Sequence, residues 1–414
     1  MQESVVSASR PDASAPPHPP AATLRRLVRG VVLWTTAHAG VLALFLAGYG
    51  WPGLVGAAVL WLLGIGPAFV LRRAFQGRFY PSATVRRWVF RPFWYVQLAL
   101  PLLSTVAVLG WVAGWPFGAG PVVARYALVV MAGLYLLVAL AGYAGTYRLV
   151  VRHRTFHFPT LPPALDGLRI VQLSDLHIGP HTSRRLLRRI VQAVEAAAPD
   201  LIVFTGDQVD DYAADARLFV DVFGSLQAPL GVWAIAGNHD IFAGWHEVQR
   251  TLEAAGFIVP VNEARAVSYR GARFWVVGLG DPTGAFWPYG GGAEAAPDVA
   301  RALQPVPDGA FVVALAHHPA LWPELARRGV ALTLSGHTHH GQVSIPALRW
   351  CLASPFVRFA MGCYRYRDAV LYVHPGSNYW GLPLRLGAWP EVTVITLRRG
   401  PSANHCTDVA SLED

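Results

Sequence analysis

Apolar runs of two lengths divide the chain. From Gly30 to Leu71 there are 42 residues without a formally charged side chain, interrupted by Gly48-Tyr-Gly-Trp-Pro-Gly53. A bilayer-spanning helix needs about 20 apolar residues, so this run predicts two such helices joined by a tight turn, at about 30–48 and 53–71. A second pair, at about 93–114 and 122–147, is joined by Trp115-Pro-Phe-Gly-Ala-Gly-Pro121. Trp and Tyr gather at the ends of these segments, as in interfacial belts. Beyond about residue 155 the runs shorten and alternate with helical periodicity. Ser183 to Ala198 reads as an amphipathic helix opened by an N-cap serine, and Val248 to Ala255 as a shorter one. Alternating strands and helices predict a layered α/β domain over residues 155–400, after a membrane region at 23–154. The Ala-, Pro- and Ser-rich residues 1–22 read as a disordered tail, and 401–414 as a C-terminal tail.

Five of the short runs end in side chains that bind metals. They are Leu168-Arg-Ile-Val-Gln-Leu-Ser-Asp175-Leu-His177, Leu201-Ile-Val-Phe-Thr-Gly-Asp207, Val232-Trp-Ala-Ile-Ala-Gly-Asn238-His239-Asp240, Phe311-Val-Val-Ala-Leu-Ala-His317-His318 and Ala331-Leu-Thr-Leu-Ser-Gly336-His337-Thr-His339. Each has the length and composition of a buried strand. Ligands of open α/β sheets gather beyond the carboxyl ends of the strands. Five such strands therefore deliver carboxylates, imidazoles and one amide to one edge.

Charge separates the two parts further. Residues 1–154 hold 14 Arg and 2 acidic residues, whereas 155–414 hold 20 Arg and 23 acidic residues. The overall basicity therefore belongs to the membrane region and gives no argument for nucleic acid. Arg25, Arg26 and Arg29, six Arg between Arg72 and Arg91, and Arg148, Arg152 and Arg154 all fall on one side of a four-span arrangement. The positive-inside rule puts that side, and the domain after it, in the cytoplasm of a multi-pass protein of the inner (plasma) membrane. Three cysteines, Cys351, Cys363 and Cys406, are too few and odd in number for a disulfide framework and fit a reducing compartment.

The ligand types suit hard to borderline divalent cations, with Mn favoured and Fe, Zn or Mg possible. Two such ions about 3.5–4 Å apart share a carboxylate, hold a hydroxide between them and neutralise a phosphoryl group during in-line attack. No nucleophilic side chain is required. Correspondingly, the chain has no Gly-x-Ser-x-Gly turn and no lysine for a Walker loop.

Asp175-x-His177, Gly206-Asp207, Gly237-Asn238-His239-Asp240, Ala316-His317 and Gly336-His337-Thr338-His339 stand in the order and approximate spacing of the calcineurin-like metallophosphoesterases. Ser174-Asp-Leu-His-Ile-Gly179, His317-His-Pro319, Gly336-His-Thr-His-His-Gly-Gln342, Leu371-Tyr-Val-His-Pro-Gly376, Leu384-Arg-Leu-Gly387 and Pro390-Glu391 resemble the membrane-associated phosphodiesterase branch of that family. The resemblance covers about residues 165–398. It implies a sandwich of two mixed β-sheets flanked by helices, here preceded by the four-helix membrane region. It also implies that Asp175, His177 and His339 hold one metal, that Asp207 bridges, and that Asn238, His317 and His337 hold the second. His239 would protonate the leaving oxygen, with Asp240 orienting it. His340 stands where the branch usually has Gly, and His340 and His318 are candidate substrate contacts. The function implied is hydrolysis of phosphodiester or phosphoanhydride bonds by a metal-bridging hydroxide, on a lipid-linked substrate beside membrane lipids; some relatives cleave UDP-diacylglucosamine. The alternatives are a phosphatase or nucleotide phosphodiesterase for soluble substrates, and a membrane sensor with a regulatory soluble domain.

Overall fold

The computed structural model describes residues 21–75, 80–401, 406–409 and 412. Residues 1–20 of the expected N-terminal tail, and most of the C-terminal one, lie outside this set. Four helices are long and apolar enough to cross a membrane: Leu24–Tyr49, Trp51–Ala74, Ala83–Phe117 and Gly120–Gly145. Their apolar side chains stay largely on the outside, as in a lipid-facing bundle. The third starts about ten residues before the charge-free stretch does. Ser82 caps a helical turn from Ala83, and a π-helical turn, Arg86–Phe90, carries the helix into Arg91–Gly114.

The chain leaves the fourth helix and enters β1 (Val150–Phe158) almost at once. There follow β2 (Arg169–Leu173), β3 (Leu201–Phe204), β4 (Val232–Ala234), β5 (Glu263–Tyr269), β6 (Ala272–Gly278), β7 (Val312–Leu315), β8 (Leu332–Ser335), β9 (Ser344–Ile345), β10 (Trp350–Cys351), β11 (Gly362–Tyr366), β12 (Ala369–Val373), β13 (Glu391–Arg399) and β14 (Thr407–Asp408). One sheet runs β1-β13-β2-β3-β4 and another β14-β11-β12-β8-β7-β6-β5. Both are mixed: β2, β3 and β4 pair in parallel, as do β6, β7, β8 and β12, while β13 meets β2 and β5 meets β6 antiparallel.

The strands read as unbroken apolar runs because both of their faces are buried. On β3, Leu201 and Val203 point into the core between the sheets, against Phe274, Val313 and Leu332. Ile202 and Phe204 point the other way, under the helices Arg184–Ala197, Ala216–Phe223 and Asn238–Ala254. The first of these matches the expected amphipathic helix, with Ser183 accepting from the amide of Leu186. The third begins at Asn238, ten residues before the expected start, because the pattern is interrupted at Gly244, whose φ of 120° breaks the helical path.

One expectation is corrected. Cys363 and Cys406 form a disulfide, with Cα atoms 4.7 Å apart. Sparse cysteines gave no sign of it, since the pair is made by β14 lying parallel to Tyr364 and Arg365 of β11.

Phe204 carries the outer layer of the first sheet, with ring contacts to Phe219, Phe223 and Phe257 at 5.1–5.8 Å. Phe204→Ala is expected to destabilise the domain by about 3–5 kcal/mol, read as a lowered unfolding midpoint in detergent; a loss under about 1 kcal/mol would contradict this packing.

Candidate metal centre

The five motif strands are neighbours in two groups, β2-β3-β4 in one sheet and β7-β8 in the other, and their carboxyl ends face a common cleft. Beyond each end the chain turns sharply. Asp175, His177, Asp207, His337 and His339 all have φ between 42° and 71°, the left-handed region that L-residues avoid. Close packing replaces the comfort of an ordinary turn. A side chain on Gly237 would run into the carboxylate of Asp207, and one on Gly336 into that of Asp175. The glycines of these motifs are thus fixed by contact with the ligands.

The side chains converge on two points. Nε2 of His177 and Nε2 of His339 stand 3.0 Å apart, and the latter is 3.3 Å from Oδ1 of Asp175. Around the other point, Nε2 of His317 is 3.1 Å from Oδ1 of Asn238, which is 2.9 Å from Nδ1 of His337. Oδ2 of Asp207 joins the two, 3.5 Å from His177 and 3.3 Å from His317. All seven side chains assigned to metals from the sequence therefore meet in one cluster.

The arrangement fits cations. Asp175 is fully buried, and its Oδ2 has no hydrogen-bond partner. Such an isolated carboxylate is costly unless it is paired or coordinates a metal. Nδ1 of His317 donates to the carbonyl of Thr205 at 2.7 Å, which turns Nε2 toward the cluster, where it would ligate once a cation replaces its proton. Burial works to lower the His317 imidazole, yet Asp207 beside it raises it well above the usual histidine range. The carboxylates draw positive charge to this spot. Burial, helped by the His317 and Arg385 cations respectively, holds His337 and His339 well below that range, so both present lone pairs.

Residues 168–341 match the profile of the calcineurin-like phosphoesterase family. The metallophosphoesterase YkuE of Bacillus subtilis is 30% identical over 263 residues, 62% of this chain and 88% of that protein. The chain belongs to the calcineurin-like metallophosphoesterase family. A "Transmembrane protein with metallophosphoesterase domain" of Danio rerio is 34% identical over 250 residues, 58% of this chain and 55% of that protein, so the similarity spans only about half of that relative. Among solved structures, the NAD nucleotidase of Haemophilus influenzae aligns over 50% of this chain and 45% of its own, with 15% identity and a TM-score of 0.37.

In this metallophosphoesterase His239 faces the cleft, its ring 4.7 Å from that of His177. Its Nδ1 lies 2.7 Å from the carbonyl oxygen of Asp210. The orienting contact expected from Asp240 is not made. Asp240 instead accepts from the amides of Val209 and Gly237 at 3.1 and 2.9 Å, tying together the two turns that carry Asp207 and Asn238. His340 is also corrected as a substrate contact: it is buried, with Nε2 3.0 Å from the carbonyl of Val373, directed away from the cleft. His318 caps a turn by accepting from the amide of Ala320, with its ring 4.3 Å from His337 at the edge of the site.

Two further residues of the site were given no role from the sequence. Asp210 holds His239 through its carbonyl and stands 3.6 Å from Nδ1 of His177 through its carboxylate. Arg385, fully buried, donates to Nδ1 of His339 at 2.8 Å and to the carbonyls of His339 and Pro375. Its place in Leu384-Arg-Leu-Gly387 was the available hint.

Gly237→Ala removes no ligand but forces the Asp207 carboxylate to move. The variant is expected to lose most of its bound metal by elemental analysis while keeping the wild-type circular dichroism. Wild-type metal content would contradict this account of the turn.

Proposed function

We propose that this metallophosphoesterase is a membrane-anchored, dinuclear phosphoesterase that hydrolyses phosphodiester or phosphoanhydride bonds of a lipid-linked substrate. The observation that carries the reading is the convergence of seven buried ligands on two points joined by Asp207. Two divalent cations there, Mn in our reading, supply the charge that neutralises phosphoryl oxygens and makes water nucleophilic at neutral pH. The chain's own residues do the rest. The carbonyl of Asp210 accepts a hydrogen bond from Nδ1 of His239, which turns Nε2 toward the cleft to hold a proton for the leaving oxygen. Gly237 and Asp240 fix the turn from which His239 projects. Thr205 keeps His317 in its ligating tautomer.

The surroundings of His239 support an amphiphilic substrate. Trp380 lies 5.6 Å from its ring and Phe242 6.1 Å, with Trp287 and Tyr289 continuing the aromatic wall. The same 380–385 loop meets the spanning helices: Tyr95 donates to the carbonyl of Pro383 at 2.7 Å, and the Arg385 amide donates to the carbonyl of Gly142 at 2.9 Å. An apolar wall thus runs from the helix ends to the catalytic histidine. Ile345, Leu348, Leu352 and Phe356 add exposed apolar surface on the segment beside it. The exposed Arg184, Arg185, Arg188 and Arg189 sit where Arg189 donates to the carbonyl of Tyr147, at the exit of the last helix, and suit anionic headgroups.

The Arg asymmetry favours a multi-pass protein of the plasma membrane with this domain in the cytoplasm. The disulfide favours the opposite side, because such bonds persist in oxidising compartments. We give the Arg count more weight, since it draws on three separate basic segments and the disulfide is a single bond. A reporter fused after Asp414 is expected to be active only when its signal is cytoplasmic; activity confined to the exterior would overturn the assignment.

In detergent with Mn²⁺, bis(p-nitrophenyl) phosphate is expected to be cleaved faster than the monoester, and chelation should abolish the rate. His239→Ala should lower kcat by roughly 10²–10⁴-fold with metal content unchanged. A panel of lipid-linked and soluble phosphodiesters then separates the substrate classes. Turnover of soluble diesters with none of any lipid would remove the lipid assignment.

A further inference from the structure

We infer that Arg86, in the turn that leads into the third spanning helix, is a positioning residue for catalysis, so that the membrane region is a structural part of the active site. This rests on the metal-centre reading above. Arg86 lies in the membrane region yet is only 5% exposed, because its side chain turns into the catalytic domain. The π-helical turn that contains it is a geometry often found at functional positions.

Beyond its own segment, its charged and ring contacts fall on one loop of the catalytic domain. Nη1 of Arg86 is 3.1 Å from Oδ2 of Asp210 and 3.7 Å from Oδ2 of Asp211. Its guanidinium lies 5.5 Å from the ring centre of Tyr80 and 5.3 Å from that of Tyr212. Nε donates to the carbonyl of Pro81 at 3.2 Å, which fixes the fork. Tyr80, from the same membrane segment, donates to Asp215 at the far end of the loop.

That loop is the one that orients His239. The Asp210 carbonyl is 2.7 Å from Nδ1 of His239, and the Asp210 carboxylate is 3.6 Å from Nδ1 of His177. A guanidinium held between two rings and bonded to the carboxylate of Asp210 fixes where the carbonyl of the same residue stands. The third helix also grips the loop on the opposite side of His239. Arg91 donates to the hydroxyl of Tyr379 at 2.6 Å, and Tyr95 reaches Pro383. Trp380, against the His239 ring, lies between those two anchors.

Removing the partner that orients a catalytic or ligating side chain commonly lowers activity 10–100-fold. The test uses the full chain in nanodiscs with Mn²⁺ and bis(p-nitrophenyl) phosphate. Arg86→Ala is expected to lower kcat at least 10-fold with KM and metal content near wild type, and to lower the unfolding midpoint because Asp210 loses its buried partner. Added methylguanidine should restore part of the rate. Arg87→Ala, altering an exposed neighbour on the same turn, should match wild type. Hydrogen exchange should rise in the peptide spanning residues 208–216 of the Arg86 variant and stay unchanged over 168–177. An unaltered kcat, or unaltered exchange at 208–216, would overturn the proposal. So would a loss of rate matched by an equal loss of bound metal, which would make Arg86 a general structural contact. An inactive wild type fails the metal-centre reading instead, so the two failures are distinguishable.

Discussion

Two carboxylates at the bottom of a cleft, almost out of contact with water, set the terms for the rest of this protein. Asp175 is 0% and Asp207 2% exposed, and imidazoles surround them on every open side. A carboxylate moved into such a place is tolerated only with compensating positive charge or hydrogen bonds. The amide of His337 reaches Asp175 and that of His239 reaches Asp207, each supplying one bond. Oδ1 of Asp175 and Oδ2 of Asp207 also face ring nitrogens, while Oδ2 of Asp175 has no partner. A pair of divalent cations is the economical solution, and it explains why carboxylates, imidazoles and an amide recur here with no thiolate among them.

Holding those groups together strains the chain. Five ligands sit in left-handed backbone conformations, each at the end of a strand buried on both faces. Strain of this kind persists only where the surroundings over-determine it. Here the surroundings are the two-sheet core, the helices over Phe204 and Ile202, and the tight contact of Gly237 and Gly336 with the carboxylates. The membrane helices belong to the same scaffold. They contact the domain through Arg86, Arg91, Tyr95 and the backbone of Gly142, and these contacts fall on the two loops that flank His239.

What could be read from the sequence follows from distance along the chain. The ligands were legible because each is within a few residues of the apolar strand that presents it. The four long helices were legible because lipid demands an uninterrupted apolar length. Arg86 was read only as one of six Arg in the basic stretch between Arg72 and Arg91, since its partner Asp210 is 124 residues away. The Cys363–Cys406 bond depends on β14 pairing with β11, and the burial of His340 on a turn toward Val373. Asp240 acts on His239 through the turn and not by direct contact, for a local reason. Its neighbour in sequence is His239, but the helix that starts at Asn238 points the carboxylate back at the amides of Val209 and Gly237.

In the proposed centre one carboxylate, Asp207, joins two cation positions. The most direct measurement is the number of Mn ions bound per purified chain, by elemental analysis and anomalous scattering, for wild type and Asp207→Ala. Two ions in the wild type, with both lost or greatly weakened together in the variant, is the predicted result. A wild type that binds one ion, or a variant that still binds two, would contradict it.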